Sequence, residues 1–314
     1  MNRDLLPLLA DPNDGGALEL HSFEGDTATV REGVLANPQT GRWYPIMDGI
    51  PSLFADDLRV GGLGEDDRVF AARHEAVMRD AGFAAAVSGN SDAEGSATTG
   101  DFTRIESERR ARDEQAEDYD RMFSLKFYER IEIPVYRRSL AQDLKADRSL
   151  PLLEAGCGTG RFTGLFSELG SMIVAVDMSR DSILRNRVRW AGKTASPVHY
   201  IHADLTHLPL QSNIFGSVAH CGVYEHIPSR SMREQFLVHA ARTLKPGGAL
   251  LLSAYRYGGI TKLFGKEGEH AGGIPFIRFT EDELRDEVGT RFDIVKFRAN
   301  LGIYMSMVLG RPKV

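Results

Sequence analysis

Leu150-Pro151-Leu152-Leu153-Glu154-Ala155-Gly156-Cys157-Gly158-Thr159-Gly160-Arg161 is the stretch from which the architecture of this chain is read. An apolar run ends at Glu154, and glycines follow at positions 156, 158 and 160. Phe162, Leu165, Phe166 and Leu169 then recur at helical spacing. A strand, a tight glycine turn and a helix in this order build a nucleotide-type site at a strand's carboxyl end in open α/β sheets. The spacing departs from the dinucleotide fingerprint Gly-x-Gly-x-x-Gly, because Arg161 stands at its sixth position. Glu154 adds a second departure. A carboxylate beside the turn repels a pyrophosphate held at a helix N-terminus, yet suits a ligand carrying an ammonium and a sulfonium.

On these residues the chain resembles the class I S-adenosylmethionine (SAM)-dependent methyltransferases, whose first motif is acidic-x-Gly-x-Gly-x-Gly. The resemblance extends over about residues 103 to 314. Asp177 follows Gly156 by 21 positions, at the end of the next apolar run. Ala203-Asp204-Leu205 follow the third such run, and Cys221 to Pro228 follow the fourth. Leu244-Lys245-Pro246-Gly247-Gly248 matches the family's turn before its fifth strand.

The resemblance implies a Rossmann-like, mainly parallel core and a cofactor site. Glu154, Gly156, Cys157, Gly158 and Gly160 would meet the ligand's amino-acid end. Asp177 and Met178 would meet the ribose, a carboxylate being able to accept both hydroxyls. Ala203, Asp204 and Leu205 would meet the adenine, and Cys221 the methyl end. Tyr119, in Gln115-Ala116-Glu117-Asp118-Tyr119-Asp120, falls where the family has a cofactor-capping helix. A core-facing aromatic is the other reading of Tyr119.

At 314 residues the chain has room for one large and one small domain. Its 42% apolar and 26% charged residues are those of a globular protein. The longest apolar runs fall well short of the ~20 residues that span a bilayer, so no membrane association is expected. The net charge of −6 provides no footprint for nucleic acid. Two cysteines, Cys157 and Cys221, imply neither a disulfide framework nor a four-cysteine zinc site, and a cytoplasmic setting is expected.

Residues 1–56 are expected to form a small β-rich domain. Leu18-Glu19-Leu20 and Ala28-Thr29-Val30 are strand candidates. Trp43 to Met47 and Ile50 to Phe54 flank Asp48-Gly49, a strong hairpin turn. Tyr44 to Pro51 resembles the corresponding segment of the zinc-ribbon-derived activator subunit of tRNA methyltransferases. Asp11, Asp14, Asn37 and Thr40 stand where that family has metal-binding cysteines, so no metal is expected. Such a unit covers the cleft, holds a partner or a second copy, or is simply a packing module. Residues 57–101 are expected as a helix from Glu65 to Phe83 followed by a linker from Ser88 to Asp101 that is too polar to pack. The catalytic domain then runs over 102–314. Its first part is helical, with a break expected at Pro134 and with the charges of Arg104 to Glu117 as a solvated face.

Methyl transfer needs a base only if the acceptor must lose a proton. His226 is the first candidate, with Tyr224 beside it; fixing the loop is the competing role for His226. His202 and His207 are expected to be structural. Tyr255, Tyr257, His270 and Phe276, in the glycine-rich insert Tyr255 to Arg278, are candidates to contact the acceptor. The leading expectation is methylation of a small molecule by SAM, leaving S-adenosylhomocysteine (SAH). Methylation of RNA or protein, and a non-catalytic SAM-binding scaffold, are the alternatives.

Overall fold

The computed structural model describes residues 1–59, 65–83, 109–113, 125–270, 273–301 and 304–313. The linker Ser88 to Asp101 and Tyr119 lie outside the described residues.

The chain begins with an antiparallel sheet in simple order: β1 (Glu19–Gly25), β2 (Val30–Ala36), β3 (Trp43–Met47) and β4 (Ile50–Pro51). Asp48 and Gly49 both take positive φ, 51° and 77°. Two consecutive left-handed residues are what a tight hairpin turn with the strands' own twist requires. Of the four positions that stand where the zinc-ribbon family has cysteines, three converge. Asn37 Nδ2 donates to Asp11 Oδ2 at 2.8 Å and to Asp14 Oδ1 at 3.2 Å, and Tyr44 donates to Asp11 Oδ1 at 2.9 Å. Thr40 instead accepts from the Arg42 amide.

The helix expected from Glu65 to Phe83 is two helices, α1 (Glu65–Arg73) and α2 (Glu75–Asp80), broken at His74. Phe70 and Met78 are buried with Trp43 and Met47, whereas Val69 and Val77 are exposed. The break expected at Pro134 does not occur. Pro134 lies inside α3 (Leu125–Arg138). Tyr136 and Leu140 beyond it are fully buried, and tertiary packing of this kind outweighs local propensity.

The core then alternates: β5 (Leu152–Ala155), α4 (Thr163–Phe166), β6 (Ile173–Asp177), α5 (Arg180–Trp190), β7 (Val198–His202), β8 (Phe215–Cys221), α6 (Arg230–Thr243) and β9 (Leu244–Tyr255). Ser179 caps α5 and Ser229 caps α6, each through its side-chain oxygen. The insert forms a 3-10 turn (Gly259–Phe264) and the hairpin β10 (Glu267–His270) with β11 (Ile274–Ile277). α7 (Glu281–Gly289), opened by the Thr280–Glu283 capping box, β12 (Phe292–Leu301) and β13 (Met305–Pro312) end the fold.

Seven strands pair in the order β12-β13-β9-β8-β5-β6-β7. β9 through β7 are parallel, and β13 and β12 add antiparallel at one edge. Alternate residues divide between the two faces. Leu153, Val174, Val218 and Leu252 belong to one apolar cluster; Leu152, Ile173, Ala175 and Leu251 belong to another. Both faces being covered, the strands are continuously apolar, as parallel strands are. The chain runs from β5 outward to β7 and then returns to place β8 on the other side of β5. That reversal opens a crevice at the strands' carboxyl ends, where open sheets bind ligands.

The N-terminal sheet does not stand apart from this core. Leu5, Leu9, Tyr44, Leu53 and Phe54 join the same buried cluster as Leu153 and Val174. Ser52 pairs in parallel with His202 at the end of edge strand β7, and Leu9 pairs with Leu210. An edge strand is thereby partly covered.

Candidate active site

The crevice is a cleft lined by segments from four strand ends: Gly156 to Thr159 after β5, Asp177 and Met178 at β6, Asp204 to Thr206 after β7, and Cys221 to Val223 after β8. Arg112, Arg161, His226 and Met232 complete it.

The glycine turn explains its own composition. Gly156 has φ +81°, and a Cβ there would sit 2.6 Å from Val223 Cγ2. Gly158 has φ +47°, and a Cβ there would meet nothing within 4 Å. The first glycine is therefore required by the fold. The second leaves open space over the backbone on the cleft side, as a cradle for a ligand does. The Gly158 amide donates to Asp177 Oδ2 at 2.7 Å, and the Ser179 amide to Oδ1 at 2.9 Å. Burial pushes the Asp177 carboxyl up, against the pull of these amides. Each of its oxygens keeps a further lone pair for a ligand hydroxyl.

Asp204 accepts from the Thr206 amide at 2.8 Å and from the Thr206 hydroxyl. Burial alone would raise its pKa; the nearby His207 ring and hydrogen bonds from Thr206 outweigh that and hold it low. Leu205 lies beside it in the cleft wall. Burial raises both thiols, Cys157 and Cys221, which are free and line the cleft as thiols, not thiolates.

Four predicted residues are not brought to the cleft surface. Glu154 is buried behind the turn, accepts from Thr163 Oγ1 at 2.7 Å and is pushed up to about 8 by burial. Gly160 is closed off by Asn186 and Trp190, whose Nε1 donates to the Gly160 carbonyl at 2.7 Å. Ala203 is fully buried. Tyr224 turns into the core, where its hydroxyl donates to Glu287 Oε2 at 2.8 Å and its ring lies 5.5 Å from Phe279.

His226 lies in the cleft wall on the 3-10 turn Tyr224–His226. Its Nδ1 lies 2.9 Å from the Pro275 carbonyl, which can only accept. The neutral ring therefore carries its proton on Nδ1 and a lone pair on Nε2. Burial holds its pKa well below the usual histidine value. Around it lie the rings of His270 at 5.4 Å and Tyr255 at 6.0 Å, and Phe276 lies 4.6 Å from His270. The insert thus meets His226 at this end of the cleft. The preceding residue, Glu225, is 2% exposed, and neither carboxylate oxygen has a hydrogen-bond partner among the described residues. Burial pushes its carboxyl up to about 8, against the nearby charges of Arg112 and Arg161.

Sequence reasoning missed Arg112 and Arg161. Arg112 belongs to the charged run Arg104 to Glu117, and no local periodicity separates it from its neighbours. Arg161 ends the glycine turn, pairs with buried Glu132 of α3 and stacks 4.7 Å over Phe162. Its position beside the turn was the available signal.

Comparison with known proteins bears on the same segments. Residues 153–252 match the family model of a methyltransferase domain. The core has the class I methyltransferase fold. Malonyl-[acyl-carrier protein] O-methyltransferase of Buchnera aphidicola subsp. Baizongia pistaciae is 30% identical over 118 residues, covering 36% of this chain and 42% of that protein. Demethylmenaquinone methyltransferase of Clavibacter sepedonicus is 30% identical over 105 residues, covering 33% and 40%. The chain thus spans less than half the length of these curated relatives. Among solved structures, Burkholderia thailandensis 1,6-didemethyltoxoflavin-N1-methyltransferase, with 1,6-didemethyltoxoflavin and SAH bound, superimposes with a TM-score of 0.52. It is 18% identical and covers 71% of this chain and 93% of that one. No helix among the described residues is long and apolar enough to cross a membrane.

Proposed function

We propose that this protein is a SAM-dependent methyltransferase acting on a small molecule. The observation that carries the reading is the convergence, in one cleft, of the open glycine backbone at Gly158, the Asp177 carboxylate and Asp204. Three segments far apart in the sequence meet only because β5, β6 and β7 are adjacent and parallel.

SAM, when bound, supplies a methyl group already activated by its sulfonium. Gly156 and Gly158 would admit the amino-acid end, Asp177 would accept the ribose hydroxyls, and Asp204 with Leu205 would hold the adenine. The protein's main contribution is then alignment of donor and acceptor. His226 Nε2 would take the proton of an acceptor that must lose one. The name of one curated relative, demethylmenaquinone methyltransferase, agrees with a small-molecule acceptor, whereas the other names a malonyl group carried on an acyl-carrier protein.

Calorimetry with SAH tests the cofactor assignment. Wild type should bind, and Asp177→Ala should bind about 100-fold more weakly, since it removes two charge-assisted hydrogen bonds. Equal affinity in the variant, or none in wild type, refutes the assignment. Labelled SAM with fractionated small-molecule, protein and RNA extracts tests the acceptor class. Label appearing only in macromolecules would overturn it.

A further inference from the structure

His202 connects the N-terminal sheet to the cofactor half of the cleft. The side chain is 2% exposed. Its Nε2 lies 3.0 Å from the Met178 carbonyl, and its Nδ1 lies 3.1 Å from Ser52 Oγ. The carbonyl can only accept, so Nε2 carries the proton. Nδ1 then accepts, and Ser52 donates. The result is an ordered chain: Ser52 hydroxyl to His202, and His202 to the Met178 carbonyl. Burial lowers the ring's pKa to about 3, which keeps it neutral and this order intact.

The two ends of that chain belong to different parts of the molecule. Ser52 follows β4 of the N-terminal sheet. Met178 follows Asp177 in the cleft wall, and His202 itself is followed by Ala203 and Asp204. The backbone reinforces the link: the Leu53 amide donates to the His202 carbonyl at 2.8 Å, and Phe54 packs edge-on against the ring at 4.7 Å. The hairpin turn of the N-terminal sheet is also held by α5, the helix that starts just after Met178. Arg180 donates to the Met47 carbonyl at 3.1 Å, and Arg187 to the Asp48 carbonyl at 2.6 Å. The N-terminal sheet therefore grips both loops that carry acidic side chains into the cleft.

We propose that His202 is a positioning residue for the cofactor, and that the N-terminal sheet acts through Ser52 and His202 as a fixed buttress of the ribose and adenine loops. This rests on the cofactor reading given above. It assigns the N-terminal unit a role inside the same subunit. His202 touches no ligand; it fixes the Met178 carbonyl, and with it the direction of Asp177.

SAH calorimetry, steady-state kinetics in SAM and thermal melting test this on the full chain. His202→Phe keeps the ring and its packing on Phe54 but loses the bond to Met178. It should weaken SAH binding about tenfold and raise KM for SAM, with kcat at saturating SAM close to wild type. His202→Gln, which keeps an N–H donor, should recover most of the affinity. Ser52→Ala should weaken SAH binding about threefold with an unchanged melting temperature, and it serves as the test should His202→Phe not fold. Wild-type SAH affinity in Ser52→Ala or in folded His202→Phe overturns the proposal. So does a joint fall of kcat and affinity that follows melting temperature and that Gln does not rescue. Asp177→Ala is the internal control. If wild type itself does not bind SAH, the cofactor reading has failed. If wild type binds, Asp177→Ala does not, and the Ser52 and His202 variants behave as wild type, only the buttress has failed.

Discussion

The two ends of the cleft are built differently. At the cofactor end the polar groups are already paired. Asp177 holds two backbone amides, Asp204 holds Thr206, and His202 is bonded on both ring nitrogens. At the other end, among the described residues, neither Glu225 oxygen is paired, and His220, bonded through Nδ1 to the Ala155 carbonyl at 2.9 Å, has a buried Nε2 with no partner. A buried unpaired polar group costs on the order of 1–3 kcal/mol, more if charged. The first end is preorganised; the second carries unmet hydrogen-bonding capacity next to the residues that would face an acceptor. Under the proposed function, SAM needs only to be held, whereas the acceptor must be recognised and reacted.

His226 gives the largest expected effect. If its Nε2 takes a proton, His226→Ala should lower kcat by about 100- to 10,000-fold, with SAH affinity unchanged by calorimetry. His226→Asn separates the base from the loop anchor. An Asn amide can still donate to the Pro275 carbonyl but cannot act as a base. A kcat near wild type in Asn would leave only the anchor, and the contrast between the two ends would narrow to packing.

The glycine turn divides the same way at smaller scale. Gly156→Ala puts a methyl group against Val223 at positive φ. It should cost about 3 kcal/mol of stability by denaturant titration. Gly158→Ala meets no protein atom and should cost about 1 kcal/mol, while weakening SAH binding by about tenfold or more because its methyl group occupies the ligand's side. Equal effects of the two substitutions on stability and binding would mean that the turn is only structural.

The convergence of the glycine turn, Asp177 and Asp204 in one cleft was legible because it depends on short-range pattern. Alternate glycines, an acid ending an apolar run and Asp204 after the next run are local, and parallel pairing of β5, β6 and β7 brings them together by rule. Glu154 and Tyr224 show the limit. Each sits in the right segment, but side-chain direction within a segment is set by packing: Thr163 captures one, Glu287 the other. Arg112 was invisible because nothing local says which charge of a charged run turns inward. The N-terminal unit was legible as a hairpin at Asp48-Gly49, but its attachment through Ser52 and His202 spans 150 positions and leaves no local trace.

The smallest effect concerns Glu225 and tests whether the acceptor end is under-satisfied as drawn. Its carboxyl is raised by burial to about 8 in the folded state, against an ordinary value of 4.5. Between these values the folded protein holds a proton that the unfolded chain has lost, so stability falls as pH rises. The other groups that titrate near neutrality, the histidines and the Met1 amine among them, are common to wild type and to a glutamine variant, so the difference between the two slopes isolates the acid. From about pH 6.5 to about pH 8, each raised acid should therefore remove up to ~1.4 kcal/mol per pH unit. Glu154, also raised to about 8, contributes with the same sign. Glu225→Gln and Glu154→Gln should each flatten part of the slope in denaturant titrations taken across that range. The two differ in what a ligand does. Glu154 is already bonded to Thr163, so saturating acceptor should leave its share of the slope alone. Glu225 has no hydrogen-bond partner among the described residues, so a donor that reaches its ionised form lowers its pKa and removes its share. A slope unchanged in Glu225→Gln would mean that the carboxylate finds a partner in solution, and the asymmetry between the two ends would disappear.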